Sequence, residues 1–412
     1  MKERQSAQNE GLLAQTPLWE FVRLTDYRQP SATGASAARL KWASFKRFSL
    51  RFEAEDLAPL KEESELQSLS KVGLAHLVAE IDWDKVAQAF DAALGDWRKT
   101  LPADSPVKFV VGPPFTGHGE MLGKWAARHG LCRVDAPDVE QILGAHQGWL
   151  MGWPQPDRQW VLPHLEHCYL RHANGLGLVR QLLERAVAGE LGHGIIGCDS
   201  WAWAYLQHVW PIPQWDVLTL QGFDGARLAR LFFQLAAGAE REQLCFKNAR
   251  TGKIVLAEPD DEDHEISPEL SQLAAYCRGN FGLARNYWRE RLRAEPEQEE
   301  DQAEDDEEKR PLLGAREQCI WVSDVPQEPV LPVEKEEDMA FIMHVLLLHN
   351  GLPASILPEL LPLPFHRIMS LLLRLRALGI VVSHNDVWRI SAMGYTSARE
   401  YLRARDYSLD GF

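Results

Sequence analysis

The residues best equipped for chemistry lie between 109 and 122, in FVVGPPFTGHGEML. An apolar run, a turn rich in glycine and proline, and then a helix-forming segment is the layout of a loop that grips phosphate. The working pattern is GxxxxGK[ST]: backbone N–H groups cradle the phosphates, the lysine reaches the β- and γ-phosphates, and the hydroxyl sits on Mg²⁺. Gly112 and Gly117 keep that spacing, ahead of a helix whose N-terminus favours an anion. His118 stands where the lysine belongs and Gly119 where the hydroxyl belongs. Histidine has an ordinary pKa of about 6.5 and a shorter reach, so a full positive charge on the γ-phosphate is lost. Each missing transition-state contact costs about 3 kcal/mol, on the order of a hundredfold in rate, and two are missing. Hydrolysis is expected to be crippled, while nucleotide binding through Gly112, Pro113, Pro114, Thr116, Gly117, His118, Gly119 and Glu120 survives. A tight strand-to-helix turn with no ligand is the other reading of the same residues.

A nucleotide site also needs an acidic strand end to hold Mg²⁺, and GIIGCDS offers Asp199. Ser200 follows it, where ATPases carry the Glu that activates water. Asp199 as a metal ligand through water and Asp199 as the cap of the next helix both remain open. Further upstream, HLEHCYLRH puts His164, Cys168 and His172 at i, i+4 and i+8 with His167 alongside, one face if the segment is helical. The spacing is neither HExxH nor that of a zinc finger, and one helix cannot close a tetrahedral shell. Packed or surface histidines are expected there.

These residues need elements to hold them. VKFVV, LCRVD, HGIIGCD and DVLTLQ read as strands, alternating with helical EMLGKWAARHG (stopped by Gly130), LVRQLLERAVAG and GARLARLFFQLAA. That alternation implies a parallel sheet covered on both faces. Ahead of it, Leu74, Leu77, Val78, Ile81 and then Val86, Phe90, Leu94 recur at helical spacing. Residues 1 to about 30 are polar and irregular. After the sheet come a hairpin, LCFKNARTGKIVLAE, and a helix, SPELSQLAAYCRGNFGLARNYWRERLR. AEPEQEEDQAEDDEEKR is then a solvated, disordered linker by composition. The last part reads helix (EEDMAFIMHVLLLHN), helix (PASILPELL), helix (PFHRIMSLLLRLRALG), hairpin (IVVS and VWRIS), helix (TSAREYLRARD), the plan of a winged helix-turn-helix. Its recognition helix would present Arg367, Ser370 and Arg374 opposite the apolar stripe Ile368, Leu371, Leu372, Leu375, with Arg389 and His384 at the wing. Residues 341–412 hold seven Arg and five acids, a net of 7 − 5 = +2, so protein contact and DNA contact are equally open.

Composition bounds the classes. The chain has 412 residues, 45% of them hydrophobic, enough for a core in each of several domains. Its formal charge of −15 makes it a poor non-specific ligand for nucleic acid, so any DNA contact must be local. The six cysteines form no CxxC pair, which fits a reducing compartment. No apolar segment reaches the ~18 residues of a membrane span and the first residues lack a signal peptide's apolar core, so a cytoplasmic protein is expected. The fifteen tryptophans are read mainly as core, with the Pro-flanked Trp210 and Trp215 as the best partner-surface candidates.

In order and local pattern, residues 75 to 412 resemble the AAA+ ATPases, in the branch shared by origin-recognition proteins and the signal-transducing STAND ATPases. GPPFTGHGEML takes the Walker A position, GIIGCDS the Walker B position, TLQGFDGARLARLF the sensor 1 strand and its helix, and CRGNFGLARNYWRERL the lid helix. The resemblance implies an α/β fold: a P-loop AAA+-like parallel sheet core, a helical lid and a C-terminal winged helix-turn-helix. The expected division is an N-terminal extension (1–70), core (71–240), lid with hairpin (241–293), acidic linker (294–330) and winged helix (331–412). ATP or ADP with Mg²⁺ are the implied cofactors, held between core and lid. Active members use a lid arginine on the γ-phosphate; Gly282 falls there, with Arg285 one turn further on. The expectation is a regulatory protein that binds a nucleotide without hydrolysing it efficiently and signals through its winged helix to a protein partner or DNA, with an oligomer allowed. An active ATPase acting on DNA and a nucleotide-free interaction scaffold are the alternatives.

Overall fold

The computed structural model describes residues 17–30, 60–61, 65–98, 106–144, 148–210, 216–236, 244–256, 267–295, 318–323, 329–332 and 337–412. In chain order the strands are β1 (Phe21–Arg23), β2 (Gln67–Ser68), β3 (Val107–Gly112), β4 (Cys132–Arg133), β5 (Trp160–Leu162), β6 (Gly194–Asp199), β7 (Val217–Leu220), β8 (Leu244–Asn248), β9 (Ile254–Leu256), β10 (Leu292–Ala294), β11 (Gln318–Val322), β12 (Leu352–Pro353), β13 (Val381–His384) and β14 (Val387–Ile390). The fold is mixed α/β. Two compact units emerge: Trp19–Arg28, Asp82–Gly222 and Glu328–Phe412 form one, and Met1–Leu18, Gln29–Ile81 and Phe223–Gln327 the other. Their divisions do not follow the boundaries expected at 70/71 and 240/241.

The first unit is built on a six-stranded sheet of order β1-β7-β3-β6-β5-β4. Strands β3 to β7 pair in parallel, and β1 adds an antiparallel edge along β7. The sequence of β3 and β6, apolar without alternation, suits a strand covered on both faces, and every residue of both is buried. The helix Trp83–Leu94 lays Val86, Ala87, Phe90 and Leu94 inward, and the Phe90 ring meets Phe21 at 5.1 Å and Trp125 at 5.3 Å. The helix His118–His129 stops at Gly130, whose φ of 63° is a left-handed cap. From β3 the chain crosses to the far edge, β4, whereas from β6 it returns past β3 to β7. Connections therefore diverge between β3 and β6, the position where open α/β sheets place ligands beyond the strand carboxyl ends.

The same unit contains helices Glu337–Leu348, Leu357–Leu360, Phe365–Ala377 and Ala392–Arg403 and the three-stranded sheet β12-β14-β13. Asn385 and Asp386, both at positive φ, close the expected β13–β14 hairpin. Ile368, Leu371, Leu372 and Leu375 are buried, as their spacing requires.

The second unit carries a five-stranded sheet, β2-β10-β11-β8-β9. Its β8–β9 hairpin matches the sequence reading. Four expectations are corrected. The single helix over 267–293 is two, Pro268–Tyr276 and Phe281–Arg291, because Arg278 (φ 54°) and Gly279 (φ 81°) turn the chain between them. Residues 294–330 are not wholly linker: β11 lies there, paired in parallel with β8, because QCIWV is an apolar run a sheet can bury. The first thirty residues include β1, whose Phe21 packs on Phe90. HLEHCYLRH is no continuous helix; Pro163 follows β5 and only Leu165–His167 make one 3-10 turn, so His164, Cys168 and His172 share no helical face. The acidic run at 296–317 and Trp215 lie outside the described residues. No helix among the described residues is long and apolar enough to cross a membrane.

Candidate functional site

The site sits at the carboxyl ends of β3, β5 and β6, where the last residues of two neighbouring strands, Gly112 and Asp199, are register partners. After Gly112 the loop makes a tight turn in which Thr116 donates from its N–H (3.3 Å) and its hydroxyl (2.7 Å) to Pro113 O. Phe115 (φ 71°) and Gly117 (φ 65°) are both left-handed. Alternating hand of this kind folds successive N–H groups around a concavity that suits an anion. For Phe115 the conformation costs on the order of 1–3 kcal/mol, strain that accumulates at functional loops. No side chain caps the helix His118–His129, and its first intrahelical bond is Met121 N–H to Gly117 O (3.0 Å). Pro113 and Pro114 have no N–H, so they shape the loop and would touch a ligand only through their rings. The N–H groups of His118, Gly119 and Glu120, in the uncapped first helical turn, are the donors such a loop would offer. Of the expected residues, Glu120 is exposed in the first helical turn.

Three side chains converge beside this loop. His118 Nε2 lies 3.4 Å from Glu166 Oε1, and His164 Nδ1 lies 2.8 Å from the same oxygen. The other carboxylate oxygen, Oε2, accepts the Asp199 N–H at 3.0 Å. Glu166 is 0% exposed. Burial raises its carboxyl, but the close imidazole of His118, the hydrogen bond from His164 and the charge of His167 hold it well below the usual carboxylate range. His164 is the converse case: burial works against its proton, yet the Glu166 carboxylate raises its pKa. The proton of the pair therefore rests on imidazole. His118 Nε2 is buried and makes no hydrogen bond, the 3.4 Å approach lacking the required geometry.

Asp199 is buried and caps the helix Ser200–Val209, its Oδ1 accepting the Trp201 N–H at 2.9 Å; its Oδ2 has no partner. Burial, then the neighbouring Glu166 charge, raise its pKa well above the ordinary value. This is the capping alternative of the sequence reading. Ser200 donates to Asp410, which also pairs with Arg399. Other links join the site to the C-terminal helices: Phe115 meets Tyr395 edge to face at 5.8 Å, Trp201 Nε1 donates to Tyr395 Oη at 3.0 Å, and His349 Nδ1 donates to Glu166 O at 3.3 Å. A cavity behind the loop, lined by Val110, Gly112, His118 and Met121 among others, has a volume of about 20 Å³, room for one water.

The remaining predicted residues lie elsewhere. Arg285 donates to Ala79 O at 3.0 Å and pairs with Glu80 at 3.3 Å, within the second unit. Arg367 pairs with Asp338 at 3.0 Å. Ser370, Arg374, His384 and Arg389 are exposed. So are Phe365, Leu373 and Val382, an apolar component of the same helix and hairpin. The sequence reading missed Glu166, Tyr395 and Asp410. Glu166 carried one signal, an acid inside HLEHCYL directly after an apolar strand; the other two are brought in by tertiary packing with no local mark. No family model matches the chain, and no curated protein is significantly similar to it.

Proposed function

We propose that the chain is a regulatory protein that holds a nucleoside phosphate, ATP or ADP, at the Gly112–Glu120 loop without hydrolysing it efficiently. Occupancy is passed to its C-terminal helices, which contact a protein partner. The observation that carries this reading is the pair of left-handed residues, Phe115 and Gly117, at an uncapped helix N-terminus on the sheet's switch point. A loop of this backbone form without the side chains of hydrolysis supports binding without turnover. Glu166 does not repel a phosphate as a bare charge, because His118 and His164 face it. Asp199 Oδ1 caps a helix and Ser200 donates to Asp410, which supports binding without efficient hydrolysis, although Asp199 Oδ2 is left unpartnered.

Transmission has a material path. The loop touches Tyr395 through Phe115, and the site's acid is tied to His349 through its backbone carbonyl. The outer face of Phe365–Ala377 mixes Ser370 and Arg374 with exposed Phe365 and Leu373, a composition that favours a protein partner over a phosphate backbone. Thermal melts with millimolar ATP or ADP, with and without Mg²⁺, test binding, since a ligand of the native state raises its stability. The expected result is a raised melting temperature with no phosphate release above background. Melts unmoved by either nucleotide favour the nucleotide-free scaffold, and turnover abolished by Asp199→Ala favours the ATPase.

A further inference from the structure

The two departures from the phosphate-loop pattern, His118 for lysine and Gly119 for the hydroxyl residue, have one structural consequence in common. His118 brings an imidazole nitrogen to Glu166. Gly119 leaves space for a second imidazole: a Cβ there would stand 2.0 Å from Cε1 of His164. Any side chain at 119 would displace the ring from its place on the carboxylate. Both changes thus serve the assembly of His118, His164 and Glu166, whose ligand atoms all lie within 4.8 Å of one another.

We infer that His118, His164 and Glu166 form a binding site for a divalent transition metal of the zinc class. Zinc takes imidazole nitrogen at about 2.0–2.1 Å and carboxylate oxygen at about 2.0–2.2 Å, which places tetrahedral neighbours about 3.4 Å apart. The His118–Glu166 separation of 3.4 Å already matches that spacing, the 2.8 Å His164–Glu166 contact has to open to reach it, and all three ligand atoms lie within 4.8 Å of one another. His118 Nε2, buried and without a hydrogen bond, is a lone pair or N–H facing a carboxylate with nothing between them. The Glu166 oxygen that is not a ligand is already fixed by Asp199 N–H, the kind of outer contact that orients metal-binding carboxylates. His164 is partly exposed, which gives the ion an entry route and leaves open coordination positions to solvent. Two imidazoles exclude Mg²⁺ as the preferred ion, since it selects oxygen ligands. Such an ion restores a positive charge beside the loop where the lysine is absent, yet it binds whether or not a phosphate enters the loop.

Competition titration of the metal-free full-length chain with Zn²⁺, without nucleotide, tests this directly, with Co²⁺ absorption as the geometric readout. The expected result is one equivalent of Zn²⁺, visible d–d bands with Co²⁺, and no competition by millimolar Mg²⁺. His164→Ala and Glu166→Gln should each weaken Zn²⁺ binding at least tenfold, since even outer-contact losses cost ~10–100-fold. Circular dichroism checks that each variant folds; His164 is partly exposed, so its variant keeps the test decisive should the Glu166 one unfold. Absence of stoichiometric Zn²⁺ binding, or equal affinity in wild type and His164→Ala, overturns the assignment. Nucleotide plays no part in this measurement, so its outcome is separate from that of the nucleotide titrations.

Discussion

Each compact unit buries a cluster of charged side chains, and the two clusters are finished differently. In the second unit Arg291 donates to Glu269 (2.9 Å) and to Ser323 O (2.8 Å), and Asn248 donates to the other Glu269 oxygen (2.6 Å). Asn248 Oδ1 in turn accepts the N–H groups of Arg250 and Thr251, closing the β8–β9 turn. Every group there has a partner. In the first unit Glu166, His118, His164 and Asp199 leave His118 Nε2 and Asp199 Oδ2 without one. A saturated network fixes a fold, whereas orphaned buried atoms cost about 1–3 kcal/mol each and persist where something else has use of them. The contrast holds for these two clusters, both built from acids and bases; Arg285 Nε and Trp288 Nε1 of the second unit are also buried without a partner, so an orphaned atom alone does not mark a site.

Acid should widen that contrast most. His344 and His349 are pushed down to about 4, by burial first, then by Arg171 for His344 and by His167 and Arg171 for His349. His349 shows why: its Nδ1–H donates to Glu166 O while Nε2 accepts the Arg171 N–H (3.3 Å), so a second ring proton has nowhere to go. An unfolded histidine takes its proton near 6.5, so between about 6.5 and 4 the unfolded chain binds more protons than the folded one. Stability from each ring is complete above that window and falls through it by on the order of 3 kcal/mol. Among the described residues of the second unit the one histidine is His76, which is exposed. Hydrogen exchange at pH 7, 5.5 and 4.5 should show the first unit losing protection before the second; simultaneous loss would break the distinction.

Arg291→Ala comes next. Arg291 is buried but Glu269 keeps a quarter of its side chain in solvent, so removing the arginine strands a partly hydrated carboxylate, and a loss of about 1–3 kcal/mol is expected in denaturant unfolding followed through the second unit. A change below about 1 kcal/mol would show that the network is not what holds the unit together. Asp199→Asn should act the other way and more weakly. Its folded-state pKa is raised, so above the unfolded value of about 3.9 the folded chain retains a proton the unfolded one has released, and stability falls as pH rises. Asparagine keeps the cap on Trp201 and removes that penalty, a gain of about 1–2 kcal/mol at pH 7 that vanishes below pH 4. Destabilisation at pH 7 would mean that the carboxylate has a partner after all.

The central strands β3 and β6 of the parallel sheet were legible because continuous apolar runs bounded by glycine allow few other structures, as in VKFVVG and GIIGCD. The hairpins were legible from ARTGK and HND, where turn chemistry is local. β1 and β5 were not, since three residues give no period to detect and their pairing is decided by neighbours distant in sequence. The loop was visible in the spacing of Gly112 and Gly117, and His118 with it, but not the acid that His118 faces. His118 and Glu166 are separated by three helices and two strands, and only the order of β3, β6 and β5 in the sheet brings them together. The histidines of HLEHCYLRH misled for the same reason: helical spacing was assumed where Pro163 and one 3-10 turn redirect the chain.

The central claim is that the Gly112–Glu120 backbone still receives a phosphate after losing its lysine. Calorimetric titration of ADP into wild type and His118→Lys tests it most directly, because Glu166 would hold the new ammonium in place of the imidazole. A charge-assisted bond is worth about 1.5–3 kcal/mol, so the lysine variant should bind ADP at least tenfold more tightly than a wild type that already binds measurably. Equal heats in both proteins, with no saturable binding in either, would contradict it.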